Sequence, residues 1–212
     1  MKDTHQITTI KALREVIACN DKQKKSLEDR LYNYMDDFAQ AFIQQSPVVF
    51  FGTANAAGHV DISVKGDAPG FVEVENKTTI FFPERKGNGD ARNLSNILEN
   101  NQVSLLFVIP RQEEVLRITG RASITVDPVL LERMVSCGRA AEVCVKIDVE
   151  ECFFHCGRAF NRCHIWKPEK WVPEIVRYRF GQLSEKNRVS VDSLVKSTDQ
   201  ILDDLGELDG AY

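Results

Sequence analysis

Pro83-Glu84-Arg85-Lys86-Gly87-Asn88-Gly89-Asp90-Ala91-Arg92-Asn93-Leu94 is the stretch around which the chain is organised. It follows an apolar, strand-like run at residues 79–82 and leads into apolar residues that recur at helical spacing. Gly87 and Gly89 permit a tight turn, and Asp90 can cap the helix that starts after it. The sequence therefore predicts a strand, a turn and a helix in direct succession.

This turn carries three basic side chains beside the predicted helix start, those of Arg85, Lys86 and Arg92. A helix N-terminus offers unpaired N–H groups to an anion, and guanidinium groups bind phosphate through paired hydrogen bonds. The pattern indicates an anion site suited to the phosphate ester of a cofactor. A polar surface turn with solvated basic side chains is the alternative that this stretch alone leaves open.

A hairpin is predicted on the N-terminal side of this turn. Residues 47–54 are rich in strand formers, residues 55–58 read as a turn, and residues 59–65 alternate strictly. The alternation places Val60, Ile62 and Val64 on one face of the second strand, and the other face carries His59, Asp61, Ser63 and Lys65. The lysine and serine could contact a ligand, although a polar strand face usually contacts water.

Further segments predict an antiparallel sheet. The remaining strand candidates are residues 71–74, 79–82, 103–109, 114–126 and 143–149, with a short helix from Pro128 to Cys137. Within residues 114–126, Gly120 indicates a bulge or a close backbone approach. About six strands joined mainly by hairpins, without βαβ alternation, predict a mainly β fold, namely a closed or split antiparallel β-barrel with flanking helices.

Helices are expected at both ends of the chain. Residues 1–45 contain an apolar stripe at Ile10, Leu13 and Ile17, and a second stripe follows at Leu27, Leu31, Tyr34, Phe38 and Phe42. We expect residues 1–45 to pack as helices on a barrel of residues 46–171. Residues 172–212 form a C-terminal extension, in which Val191 to Leu205 could form another helix.

Composition excludes several classes of partner. The chain has 212 residues and a net charge of −4, without a basic stripe interleaved with aromatics, so nucleic acid is not an expected partner. The longest apolar run, residues 105–109, is far too short to span a membrane. The N-terminus lacks the apolar core of a signal peptide, which leads us to expect a cytoplasmic protein.

The six cysteines contain no Cys-x-x-Cys pair, and we expect them to be reduced thiols. One cluster contains good zinc ligands, namely Cys152, His155, Cys156, Cys163 and His164. Structural zinc sites usually combine two pairs of closely spaced ligands, which this cluster lacks. A metal site is therefore not predicted.

A charged segment follows the last strand. If the chain is helical from Gly157, Arg158 and Arg162 lie one turn apart on one face. Together with Trp166, these arginines could form a charged wall for an anionic, aromatic ligand. The alternative is that the arginines pair with carboxylates while Trp166 closes the end of the barrel.

These residues resemble the pyridoxamine 5′-phosphate oxidase-like flavin proteins with a split β-barrel, in particular a bacterial branch assigned to FMN-dependent enzymes. The similarity covers about residues 13–171. It rests on the order and spacing of several motifs, namely Ser46-Pro47, residues 63–72, Pro83 to Asn88, residues 96–98, Leu116 to Ala122, and His155 to Ala159 with Arg162 and Trp166. Where that branch has an arginine followed by Asp-Ser before the helix, this chain has Asp90 and Arg92-Asn93.

The resemblance implies a homodimer that binds FMN at the subunit interface. Lys65 would contact the flavin or its ribityl chain, and Arg117 or Glu114 would contact the flavin from another strand. The phosphate side would be formed by Arg85, Asn88, Arg92 and Asn93. Arg158, Arg162 and Trp166 match an element that crosses to the partner's site in relatives.

The resemblance further implies a flavin-dependent oxidoreductase that acts on a small molecule, with NAD(P)H as a candidate reductant. Flavin carries the redox steps itself, so no catalytic triad or carboxylate pair is needed, and the catalytic residues stay unassigned. Pyridoxamine phosphate oxidation itself is not expected, because no arginine- and histidine-rich substrate motif follows Trp166. The alternative is a non-catalytic protein that holds flavin or haem, with His155 or His164 as an axial ligand.

Overall fold

The computed structural model describes residues 5–85, 89–135, 140–176 and 195–197. Its helices are α1 (Ile10–Val16), α2 (Asp21–Glu28), α3 (Asp37–Gln45), α4 (Arg92–Glu99), α5 (Pro128–Arg133), α6 (Arg158–Arg162) and a 3₁₀ turn at Pro168–Lys170. Its strands are β1 (Val48–Ala54), β2 (Val60–Gly66), β3 (Glu73–Asn76), β4 (Thr79–Glu84), β5 (Gln102–Val108), β6 (Glu114–Thr125), β7 (Val143–Cys156), β8 (Glu174–Val176) and β9 (Val195–Ser197). None of the described helices is long and apolar enough to cross a membrane.

Seven strands form one antiparallel sheet in the order β2-β1-β5-β6-β7-β4-β3. β6 and β7 pair over their whole length, with a register shift between Thr119 and Gly120. A Cβ at Gly120 would lie 2.2 Å from the backbone oxygen of Asp148, so only glycine fits at this bulge. The predicted mainly β fold, the hairpins and the bulge at Gly120 are confirmed.

The sheet curls so that strands distant in its order face each other. Phe51 of β1 and Phe82 of β4 are fully buried, and their ring centroids are 4.9 Å apart in an edge-to-face contact. Leu105, Leu116 and Ile147 complete the interior, each fully buried. The observed architecture is the split β-barrel expected from the sequence.

Only the last of the three N-terminal helices is buried against this barrel. α3 buries Ala39 and Ile43, whereas α1 and α2 bury no residue. The predicted second stripe, from Leu27 to Phe42, is wrong as a single helix, because the chain leaves the helix after Glu28 and Tyr32 forms a β-bridge with Cys152. As a result Phe38 is exposed, and its neighbour Ala39 takes the buried position.

β2 places its polar face inward. Val49, Phe51 and Thr53 are buried in β1, and Lys65, Ser63 and Asp61 lie directly opposite them in the register. Directly opposed residues of an antiparallel pair lie on the same face of the sheet. Val60, Ile62 and Val64 therefore point outward, with exposed fractions of 74%, 68% and 61%. The sequence left open whether this polar face contacts a ligand or water. Lys65 pairs with Glu84 and Asp61 accepts a hydrogen bond from Asn93, so these side chains do not extend freely into water, and contact with a ligand stays a prediction.

Two element boundaries also differ from the sequence prediction. α5 ends at Arg133, earlier than predicted, and Cys137 lies outside the described residues. β7 continues to Cys156 because Phe153 to Cys156 pair with Glu114 to Arg117. The helix predicted between Val191 and Leu205 is interrupted by β9, and the remainder of that segment lies outside the described residues.

Candidate functional site

Two ion pairs at the barrel rim contain Lys65 and Arg85. Lys65 Nζ lies 2.5 Å from Glu84 Oε1, and their side chains are 22% and 17% exposed. Arg85 Nη1 donates to Asp67 Oδ2 at 2.7 Å, and Arg85 Nη2 donates to the Met134 carbonyl at 3.0 Å. The Nε atom of Arg85 is buried without a hydrogen-bond partner in the described part of the chain. Both predicted cofactor contacts thus already carry a carboxylate partner.

The N-terminus of α4 lies next to these ion pairs in sequence. Its N-cap is Ala91, which offers no side-chain cap, while Asp90 Oδ1 accepts from the Arg92 amide at 3.2 Å. Asp90 therefore accepts from the first amide of the helix, although it lies one residue before the N-cap position. The Arg92 guanidinium is 65% exposed, and its ion pair with Asp90 is long, at 3.7 Å. Asn88, also predicted here, lies outside the described residues.

Asn93 is buried and attaches α4 to the barrel. Its Nδ2 donates to Thr53 Oγ1 at 3.0 Å and to Asp61 Oδ2 at 3.1 Å. Asn96 Nδ2 donates to the same Thr53 hydroxyl at 2.9 Å. These bonds fix the start of α4 and hence the end of the preceding loop. Asp61, Thr53 and Asn96 were not predicted to contribute to this region. The three-residue spacing of Asn93 and Asn96, which places both side chains on one face of a helix, could have indicated that they act together.

Arg117 lies on the outer face of β6, and Glu114 lies three residues before it, at the start of the strand. The Arg117 guanidinium carbon is 4.4 Å from the centre of the Phe153 ring, a cation–π contact on the outer face of β6 and β7. A cavity of about 450 Å³ adjoins this pair, and Leu27, Leu31 and His155 also line it. Glu114 pairs in register with Cys156 at the start of β6 and lines a neighbouring cavity against α3.

The predicted C-terminal element folds as the short helix α6. Arg158 and Arg162 are exposed, while Trp166 is half-buried with its ring centroid 5.7 Å from that of Phe160. The indole N–H of Trp166 is buried without an acceptor in the described residues. Gly157 starts this element where a Cβ would lie 2.7 Å from the Glu113 carbonyl, so β7 and α6 join through a close backbone approach.

The candidate residues therefore form two separate groups within one chain. The first contains Lys65, Arg85, Arg92 and Asn93, and the second contains Glu114, Arg117, Arg158, Arg162 and Trp166. Lys65 belongs to the inner face of β2, whereas Arg117 belongs to the outer face of β6. Three strand-to-strand steps separate β2 from β6, or about 14 Å at ~4.8 Å per step. Lys65 and Arg117 of one chain therefore lie on opposite faces of the sheet.

The buried thiols do not offer a nucleophile. Burial raises the pKa of Cys152 to about 12, with a smaller contribution from the Asp36 carboxylate. Burial likewise raises the pKa of Cys144 to about 11, helped by Glu73 and opposed by Arg133. Neither thiol forms a useful thiolate fraction at neutral pH. Among the described residues no three His, Cys, Asp or Glu side chains are arranged to hold a metal ion.

Comparison with solved structures finds proteins of similar fold. HupZ of Group A Streptococcus is 19% identical over 57% of this chain and 93% of its own, with a TM-score of 0.45. A putative pyridoxamine 5′-phosphate oxidase from Lactobacillus delbrueckii is 17% identical over 57% of this chain and 95% of its own, with a TM-score of 0.45. An FMN-binding protein from Syntrophomonas wolfei is 10% identical over 67% of this chain and 96% of its own, with a TM-score of 0.43.

No curated protein matches the chain. The model of the pyridoxamine 5′-phosphate oxidase family, in contrast, matches residues 35–156, which is more than half of the chain. The match begins two residues before α3 and ends with the last residue of β7. It therefore contains the seven-stranded sheet, the basic turn and α4. The chain belongs to the pyridoxamine 5′-phosphate oxidase family.

Proposed function

We propose that this protein is an FMN-dependent oxidoreductase that acts on a small molecule as a homodimer. The observation that carries the proposal is the family match across β4, the basic turn and α4. That segment is where the sequence alone predicts a phosphate site. The flavin, when bound, supplies the hydride or electron transfer, and the chain supplies binding and orientation.

The residues around α4 fit a phosphate group. Within the described residues, the first turn of α4 has one amide bonded to a carboxylate and no N-cap side chain, which leaves further N–H groups of that turn available to an anion. Arg92 is exposed and its ion pair with Asp90 is long, at 3.7 Å, which leaves its guanidinium able to turn toward an anion. We therefore assign the main phosphate contact to Arg92.

Lys65 and Arg85 fit a different role. Each is neutralised by a carboxylate at short distance, so neither contributes net positive charge to a phosphate. A lysine held in this way still has ammonium protons to donate to a neutral oxygen or nitrogen of the flavin or ribityl chain. Arg85 fixes the rim by joining Asp67 to the Met134 carbonyl.

The two-group arrangement supports a site shared between chains. Arg117 and Glu114 would contact the flavin of the partner subunit, since about 14 Å and the sheet itself separate Arg117 from Lys65 of the same chain. Arg158, Arg162 and Trp166 follow β7 at the Glu114 end and belong to the same group. The unpaired indole N–H of Trp166 is a donor in place for such a ligand.

The absorbance spectrum of the purified protein tests the proposal. A flavin spectrum that is bleached by NAD(P)H or dithionite, with FMN released on denaturation, supports it. A colourless protein that takes up no added FMN contradicts it. A Soret band that appears on haem addition and is lost in His155→Ala or His164→Ala would instead favour the non-catalytic alternative. A screen of reductants and acceptors would then identify the substrate.

A further inference from the structure

The N-terminal helices expose an apolar surface that no described residue of their own chain covers. Ile10, Val16 and Ile17 are 79%, 72% and 57% exposed, and α1 buries no residue at all. Ile10 and Ile17 belong to the apolar stripe that the sequence predicted to pack, together with Leu13. α2 likewise buries no residue, although Leu27 lines the cavity beside Arg117 and so faces the outer side of β6 and β7. An amphipathic helix this short needs a packing partner to be stable.

A second apolar surface is exposed on the sheet. Val60, Ile62 and Val64 of β2 point outward, next to the half-buried Phe50 of β1 and Leu106 of β5 on the same face. Gly52 and Ser104 lie beside them and leave a groove of about 890 Å³ across the three strands. The largest apolar patch on a monomeric protein is typically about 300–600 Å² and often functional, which makes this face a candidate contact surface.

We propose that α1 of each chain packs on the outer face of β2, β1 and β5 of a second copy, so that the two copies exchange N-terminal arms. This inference rests on the homodimer of the proposed function and states which segment completes its interface. Each chain carries both the uncovered helix and the uncovered sheet face. In a dimer with a twofold axis, the helix of each copy therefore covers the sheet face of the other, and the same contact forms twice.

The size of the sheet face supports the participation of the arm. β2, β1 and β5 have seven residues each, which gives a face of about 14 by 23 Å, or ~330 Å², at ~4.8 Å between strands and ~3.3 Å per residue. A stable interface buries about 800 Å² on each partner. The three strands are therefore one part of such an interface, and Arg117, Glu114 and α6 of the proposed site are another. The exposed side chains of α1 add apolar surface to both.

The charges are also complementary. Residues 10–28 contain five basic and three acidic side chains, so the arm is positive. The groove on the sheet is bordered by Glu150 and Glu151 of β7. Arg121 already pairs with Glu150, and Glu151 accepts a 3.4 Å hydrogen bond from Thr119. A basic segment that lies across the groove thus meets an acidic margin.

Photo-crosslinking between isotopically distinct copies tests this placement. Full-length chains with benzoyl-phenylalanine in place of Leu13, one unlabelled and one labelled with ¹⁵N, are mixed, allowed to exchange subunits and irradiated. We expect crosslinked peptides that join position 13 of one isotope to residues 60–66, 48–54 or 102–108 of the other. The same probe in place of Glu15, on the polar side of α1, is the control and should give at least tenfold less of this product.

Three results would overturn the arm placement. The first is that crosslinks join only peptides of the same isotope. The second is that position 13 crosslinks to residues 177–212, and the third is a dimer in which position 13 forms no crosslink to the sheet. A second measurement does not depend on the probe: Leu13→Lys should raise the dimer dissociation constant at least tenfold, whereas Glu15→Lys should change it less than twofold. A species that binds FMN but sediments as a monomer would contradict the dimer itself, and a dimer that lacks FMN would contradict only the proposed cofactor.

Discussion

Lys65 of β2 and Glu84 of β4 form a 2.5 Å ion pair, although their strands are not neighbours in the sheet. β2 is one edge of the sheet, and β4 is separated from it by β1, β5, β6 and β7. The pair is therefore a contact across the split of the barrel. Asp67 and Arg85 repeat it immediately after the two strands, with a distance of 2.7 Å. Two ion pairs thus join the open sides of the barrel beside the basic turn.

Replacing Lys65 by Met should destabilise the cofactor-free protein by about 1–3 kcal/mol, because Glu84 would keep a largely buried carboxylate without its partner. The free energy of unfolding in urea measures this effect. Arg121→Met is the matched control, since the Arg121–Glu150 pair is 61% and 41% exposed and should contribute less than about 1 kcal/mol. Equal losses in the two variants would contradict a role for Lys65 in closing the barrel.

Gly120→Ala should be severely destabilising. The added Cβ would lie 2.2 Å from the Asp148 oxygen. The Cβ is fixed to the backbone of β6 and the oxygen belongs to the backbone of β7, and these paired backbones cannot move apart without breaking the ladder. We expect a loss of about 3 kcal/mol or more in the free energy of unfolding. Gly52→Ala is the control, because its Cβ would meet its nearest neighbour at an ordinary 3.5 Å. A stable Gly120→Ala variant would mean that the bulge is absent.

Arg92→Ala should weaken FMN binding by about 1.5–3 kcal/mol, the usual contribution of a charge-assisted hydrogen bond to phosphate. Titration with FMN followed by fluorescence gives the dissociation constant. Arg133→Ala provides the control, because Arg133 pairs with Glu73 and Glu75 away from α4. If Arg92→Ala binds FMN normally and Arg85→Ala does not, the phosphate contact belongs to Arg85.

The strands and the bulge could be predicted because each depends on local pattern. Alternation in residues 59–65 and the position of Gly120 are visible in any window of ten residues. The face of β2 that turns inward could not be predicted, because alternation separates two faces without saying which one contacts the core. Here the apolar face stays outside, since Asp61 bonds to Asn93 and Lys65 pairs with Glu84 inside.

The candidate site was predictable to a similar extent. The basic turn and the helix after it could be predicted from the sequence. The position of Arg158 and Arg162 on one short helix could be predicted as well. The carboxylate partners of Lys65 and Arg85 could not be inferred, because they come from residues 19 and 18 positions away and depend on how the sheet curls. The buried amide of Asn93 also depends on that curvature.

Alkaline pH should destabilise the protein in part through Cys152. Its pKa is about 12 in the folded chain and 9.0 in the unfolded reference, so its contribution to stability is complete below pH 9 and declines as the pH rises toward 12. Within that range the unfolded chain loses the proton while the folded chain keeps it. The free energy of unfolding should fall about 1.4 kcal/mol per pH unit more steeply in the native sequence than in Cys152→Ala. Parallel slopes between pH 9 and 10.5 would contradict burial of this thiol.

Ile62→Lys should convert the protein to monomers and release FMN at the same time. Ile62 lies in the middle of the exposed face of β2, where a lysine would place its charge in a closed apolar interface. Val126→Lys, at a position 64% exposed and outside this face, should leave the sedimentation coefficient unchanged.

In the native sequence, dilution should release monomer and FMN together. FMN at a hundredfold excess over its dissociation constant should stabilise the dimer by about 2.7 kcal/mol, visible as a higher melting temperature. A stable monomer of Ile62→Lys that retains full FMN, seen by analytical ultracentrifugation with detection at flavin wavelengths, would show that the site does not lie between subunits. Arg117, Arg158 and Trp166 would then have no role in the partner's site.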